Sequence, residues 1–181
     1  MKAYFKTALK FTKNIASTGA LVETSRWIEK EITSFVDPSR RQVIIEYGAG
    51  HGNISRAILA AMHQDSELFA FELNSDFCEV LRRIPDERLK VVNLSAQFVD
   101  EVVPEKESVD CIISSIPFSF IPDPILDDIL DKSCSLLKDG SYMTQVLFSA
   151  RHLKLFKKHF SQCSAKLVMN FPPAHVYFAK K

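Results

Sequence analysis

The order of the hydrophobic runs predicts an α/β domain: a mostly parallel seven-stranded sheet with an antiparallel last strand, helices on both faces, and amphipathic helical segments ahead of it. Three observations carry that expectation. From residue 43 onward, short runs rich in β-branched and aromatic residues alternate with amphipathic runs. The first of those runs empties straight into a cluster of glycines. The chain then closes on two strand-like runs with no helical pattern between them.

Taken in order, Val43 to Tyr47 is a wholly apolar run apart from one acid, the mark of a strand buried on both sides. Asn53 to Met62 then has the 3.6-residue spacing of a helix. Leu68 to Glu72 is the second strand, Ser75 to Arg83 a helix with Asn74 as its N-cap, and Leu89 to Asn93 the third strand. A short helix around Gln97 precedes the strand Val109 to Ser115. Pro124 at a first-turn position opens a helix to Leu137, followed by the strand Ser141 to Phe148 and the helix His152 to Phe160. The closing runs, Ala165 to Asn170 and His175 to Ala179, flank Phe171-Pro172-Pro173, a turn-like stretch that predicts a hairpin with its last strand antiparallel to the rest. Residues 1–36 form an N-terminal helical extension or lid, and 37–181 the α/β unit, within one structural domain overall.

Composition narrows the class. At 181 residues, 46% hydrophobic and 25% charged, the chain can bury a real core without staples. No apolar stretch approaches the length of a membrane-spanning helix. Cys78, Cys111, Cys134 and Cys163 include no C-x-x-C pair, so neither a zinc site nor a disulfide framework is expected, and buried thiols in the reducing cytoplasm are. The net charge of +1 hides an asymmetry: residues 1–22 carry four lysines and 140–181 seven Lys or Arg, neither with an acid, whereas 23–139 hold 12 basic and 22 acidic residues. Two basic ends meeting on one face would suit a phosphate-bearing partner.

The chemistry-bearing segment is Val43-Ile44-Ile45-Glu46-Tyr47-Gly48-Ala49-Gly50-His51-Gly52. Glycines let the backbone turn sharply and approach a ligand where a Cβ would collide, and the next helix presents unpaired N–H groups. The spacing is G-x-G-x-G, with Asn53 where a dinucleotide fingerprint wants its third glycine, which disfavours NAD. Twenty residues after Gly52 the second strand ends in Glu72, where a carboxylate can accept from both hydroxyls of a ribose. An acid followed by G-x-G-x-G, with an acid at the second strand tip, resembles the Rossmann-like class I S-adenosylmethionine-dependent methyltransferases. The resemblance implies S-adenosylmethionine as cofactor, held by Glu46, Gly48, Ala49, Gly50, Gly52, Glu72 and Leu73, and by Ser95 and Ala96 at the third strand tip, where the family usually has an acid on the adenine.

The family's fourth-strand motif, beside the methyl group, matches Ser114-Ser115-Ile116-Pro117-Phe118. Ribosomal RNA adenine dimethylases use Asn-Leu-Pro-Tyr there, and a serine lacks the paired donor and acceptor of that Asn. The bacterial phospholipid N-methyltransferases are similar through a Ser-Gly-Leu-Pro pattern. They are similar again at Gly19-Ala20-Leu21-Val22-Glu23-Thr24-Ser25, with Glu23 where proline is usual. Leu136 to Gln145 and Asn170 to Tyr177 match the same group. This resemblance implies transfer to the amine of a phospholipid head group, with Ser114, Ser115, Ile116, Pro117 and Phe118 as the catalytic wall; RNA is the less favoured acceptor and a small molecule a further alternative. Independently, Lys2, Lys6, Lys10 and Lys13 fall within an arc of about 80° on a helix, opposite Tyr4, Phe5, Ala8, Phe11 and Ile15. Such a helix can lie on a membrane, making the protein peripheral on its inner face, or fold back as a lid. No metal is expected.

Overall fold

The computed structural model describes residues 25–181 except 104, 107 and 171. The basic helix expected over the first 22 residues, and most of the Gly19 to Ser25 segment, lie outside the described residues.

The chain forms α1 (Arg26–Ile32), β1 (Val43–Tyr47), α2 (Asn53–Ala61), β2 (Glu67–Phe71), α3 (Ser75–Arg82), β3 (Leu89–Val92), α4 (Val99–Val102), β4 (Val109–Ser114), α5 (Asp123–Leu136), β5 (Leu137–Leu147), α6 (Leu153–His159), β6 (Gln162–Val168) and β7 (Ala174–Lys180). The sheet order is β3-β2-β1-β4-β5-β7-β6. β1 to β5 run parallel, and β7 inserts antiparallel between β5 and β6. The seven-stranded, mostly parallel sheet with a returning hairpin is thus the one the sequence predicts.

Register assigns the faces, because paired residues on neighbouring strands point the same way. Ile45, Tyr47, Ile112, Met143, Tyr177 and Ala179 face α4, α5 and α6, packing against Val99, Ile129, Leu130 and Phe156. Ile44, Cys111, Ile113, Val146 and Val176 face the other way, against Ile28 and Ile32 of α1 and Ile54 and Ile58 of α2. α1 starts where Ser25 Oγ accepts from the Ile28 N–H and is tied down where the Thr144 hydroxyl donates to the Ile32 carbonyl. A buried polar knot closes the far edge of the sheet: Asp110 accepts from the Val43 N–H, Arg40 and Lys138. Burial would raise that carboxyl's pKa, but these three donors outweigh it and hold the group below its usual range.

Three details differ from expectation. The fifth strand starts at Leu137, directly at the end of α5, instead of Ser141. Leu137 pairs with Val109 while Tyr142 pairs with Cys111, so β5 carries extra residues in a bulge, and Gly140, at φ +77°, turns it. Cys134 and Cys163 are only half-buried, whereas Cys78 and Cys111 are buried; all four thiols are free. The acid-poor C-terminal third also spends part of its charge internally: Lys158 and His159 reach Asp127 on α5, and Lys166 reaches Glu31 on α1.

Candidate active site

The carboxyl ends of β1, β2 and β4 converge on the glycine loop. All three loop glycines have positive φ: Gly48 at +76°, Gly50 at +53° and Gly52 at +84°. At Gly48 and Gly52 a side chain would also have to displace a neighbouring one. A Cβ on Gly48 would come 2.9 Å from Ile116 Cγ2, and one on Gly52 2.9 Å from Leu81 Cδ2. The loop is strapped to β2 by the Gly48 N–H donating to the Phe71 carbonyl at 2.8 Å. Gly52 is the N-cap of α2 and, having no side chain, leaves the first turn's N–H groups uncapped.

Glu72 is buried just beyond the end of β2, where its two carboxylate oxygens accept from the Gly50 N–H at 2.9 Å and the Asn74 N–H at 2.8 Å. A carboxylate offers about four acceptor positions, of which these bonds use two. Two residues that sequence reasoning missed support this arrangement. The Asn93 amide donates to the carbonyls of Glu72 and Leu73, pinning the turn that carries the acid. Ser55 on α2 donates to Glu46 Oε2 at 2.6 Å. An Asn at a strand tip was the available signal for the first; nothing local marks the second.

Glu46 is 1% exposed, and its Oε1 has no hydrogen-bond partner. Burial, opposed by the Ser55 hydrogen bond and aided by the charge of Glu72, lifts its carboxyl to about 7. A cation beside Oε1 would satisfy the oxygen and favour the ionised form. The glycine cradle, the remaining acceptor positions of Glu72 and the orphaned Glu46 oxygen together suit a ligand bearing a diol and an ammonium.

The Ser114 to Phe118 segment forms the facing wall. The Ser115 N–H donates to the Tyr47 carbonyl, and its hydroxyl to the Gly48 carbonyl at 2.9 Å, so the segment lies directly on the glycine loop. The carbonyls of Ile116 and Pro117 already accept from Gln145 Nε2 and the Phe120 N–H. Phe118 is 1% exposed and heads an aromatic column, stacked on Phe156, which stacks on Tyr177. Its ring anchors the wall to that column. At the third strand tip Ser95 Oγ caps the turn Ala96–Phe98, accepting from the Gln97 N–H at 3.3 Å, and Ala96 is buried beneath it. Thus Glu46, the glycines, Glu72 and the Ser114 to Phe118 segment come together around one loop.

Residues 44–140 match the model of a methyltransferase domain. The chain is 23% identical, over 99% of its length and 97% of the relative's, to an ornithine lipid N-methyltransferase of Singulisphaera acidiphila. The precorrin-6y C5,15-methyltransferase of Geobacter metallireducens shares the fold at a TM-score of 0.71 and 14% identity, with 89% of this chain and 91% of that one covered. A methyltransferase of Streptococcus mutans, crystallised in complex with SAH, does so at 0.65 and 15% identity, covering 87% and 99%. This chain belongs to the methyltransferase-domain family and is an S-adenosylmethionine-dependent methyltransferase.

Proposed function

We propose that the enzyme N-methylates the amine of a membrane-lipid head group, of the phosphatidylethanolamine kind, as a peripheral protein at a membrane surface. The observation that carries this reading is end-to-end similarity to a lipid N-methyltransferase: the match spans nearly the whole of both chains, including the parts of the fold beyond the cofactor loop. No helix among the described residues is long and apolar enough to cross a membrane.

S-adenosylmethionine, when bound, supplies an electrophilic methyl: the N–CH3 bond forms as the S–CH3 bond breaks, and the electron pair stays on sulfur. Gly48, Ala49, Gly50 and Gly52 would cradle it with main chain, Glu72 would accept from the ribose hydroxyls, and Glu46 Oε1 would receive the amino-acid ammonium. Leu73, Ser95 and Ala96 would border the adenine. On the acceptor side a lipid amine with a pKa near ~10 is almost wholly protonated at neutral pH and must lose a proton to attack. Desolvation in the pocket, together with the positive charge supplied by the cofactor, disfavours the ammonium. The Ser114 to Phe118 wall then holds the neutral amine in line, which requires no dedicated base.

The test is transfer of labelled methyl to vesicles containing phosphatidylethanolamine, to vesicles containing ornithine lipid, and to unmethylated ribosomal RNA, followed by partition between chloroform and water. Label in chloroform from the first vesicles is the expected result. Label only from ornithine lipid would change the head group, and label only in the aqueous RNA would overturn the lipid reading.

A further inference from the structure

We propose that Gln145, on β5, receives the amine that accepts the methyl group, its Oε1 taking an N–H from that amine with Ser114 Oγ beside it. This deepens, and rests on, the N-methylation reading above.

Gln145 is fully buried, and its amide can be oriented from its partners. Nε2 donates to two main-chain carbonyls, that of Ile116 at 3.0 Å and that of Val146 at 2.8 Å. Turning the amide over would aim an oxygen at two oxygens, so the orientation is fixed and Oε1 points away from both. That oxygen is buried and has no partner. An amide oxygen only accepts, so what it lacks is a donor. Ser114 is paired with Gln145 in register, on the same face of adjoining strands, and its hydroxyl is likewise buried without a partner. The two unmatched polar groups thus belong to directly paired residues, on strands whose main chains run about 5 Å apart.

Their position selects the donor. The Ile116 carbonyl that Gln145 grips belongs to the residue whose side chain closes over Gly48. Gln145 therefore adjoins the wall that lies on the cofactor loop. A neutral amine brings N–H groups and carries no charge to strand among buried neighbours. A primary amine that directs its lone pair at a methyl group keeps two N–H bonds for Ser114 and Gln145. The first product ammonium sheds one of its two protons to solvent and the second its only one, so the amine entering the second transfer keeps one N–H and that entering the third keeps none. Gln145 accordingly contributes most to the first methylation and nothing to the third.

The experiment compares wild type with Gln145→Leu on vesicles of phosphatidylethanolamine and of its mono- and dimethylated forms, alongside binding of S-adenosylhomocysteine and the melting temperature. We expect kcat/KM to fall about tenfold on the unmethylated lipid, a few-fold on the monomethylated one and hardly at all on the dimethylated one, with product-cofactor affinity unchanged. An equal loss on all three would overturn the inference, because a purely structural or water-binding role makes no distinction among them. Ser114→Ala, which keeps both anchors of Gln145, decides by the same gradient where Gln145→Leu does not fold. Failure of the lipid reading shows separately: if wild type methylates only adenine in RNA, the series is run on adenine and on N6-methyladenine, which differ by one N–H. Transfer by wild type to no nitrogen at all would overturn both readings.

Discussion

At the carboxyl edge of the sheet, the glycine loop is strapped to β2 by main-chain N–H groups, whereas the wall after β4 and the segments beside it are gripped by side-chain donors. Around the glycine loop, Gly48 bonds to the Phe71 carbonyl, Gly50 to Glu72, and Asn74 to the same carboxylate. Opposite it, Gln145 holds Ile116, Arg151 reaches Ser119, and Tyr177 donates to the Ser149 carbonyl. The loop is therefore limited by backbone conformation and the wall by side-chain pairing. A single methyl group should wreck one, whereas the other should be tunable.

The largest expected effect breaks the loop. Gly48→Ala forces an L residue to φ +76° and drives a Cβ to within 2.9 Å of Ile116. Left-handed strain and overpacking together should cost about 2–4 kcal/mol, and displacement of the loop should weaken S-adenosylhomocysteine binding by at least ~100-fold. Gly140→Ala is the control: its φ is similar, +77°, but the nearest atom to a new Cβ is Lys180 Cε at 3.8 Å. It should cost about 1–2 kcal/mol with no effect on the ligand. Thermal melts and calorimetric titration of both variants check the pair, and equal ligand affinities would refute the loop's role as a cradle.

A second, smaller effect is electrostatic. With its carboxyl raised by burial from 4.5 to about 7, Glu46 binds its proton more tightly in the folded chain than in the unfolded one. Its contribution to stability is therefore greatest below pH ~4.5 and declines as pH rises toward 7, by up to about 3 kcal/mol in the ligand-free protein. A ligand ammonium beside Oε1 reverses this preference, so cofactor affinity should increase between about pH 5.5 and 7. Glu46→Gln should flatten that profile and weaken binding at pH 7 by about tenfold. A profile that keeps its slope in the variant would remove Glu46 from the site.

This contrast also explains what could be read in advance. The strand-to-glycine junction and the Asn74 cap depend on residues within a few positions of each other, and the acid at the second strand tip on its spacing of 20 residues from Gly52, so the sequence exposes them. The role of Gln145 depends on its pairing with Ser114, 31 residues earlier, and on a carbonyl grip at Ile116; it emerges only when β5 is laid beside β4. The setting of Phe118 is hidden for a similar reason: the aromatic column it heads is completed by Phe156 and Tyr177, far along the chain. The stretch Lys138-Asp139-Gly140 has turn composition and yet lies inside β5, as the bulge between the pairs Leu137–Val109 and Tyr142–Cys111.

The smallest predicted effect lies at the third strand tip, at Ser95, where an acid is usual in the family that the sequence resembles. Its hydroxyl already accepts from the Gln97 N–H at a long 3.3 Å, so Ser95→Ala should cost about 0.5–1 kcal/mol as a lost cap. Whether that side chain also bears on the adenine is decided by a second number, the affinity for S-adenosylhomocysteine. A contact to the ligand predicts a roughly threefold to tenfold drop in Ser95→Ala and a gain of similar size in Ser95→Asp, since Asp caps as well as Ser and accepts more strongly. A cap alone predicts that the melting temperature moves while both affinities stay at the wild-type value. The third strand tip would then be scaffold, and cofactor recognition would rest on the glycine loop, Glu46 and Glu72.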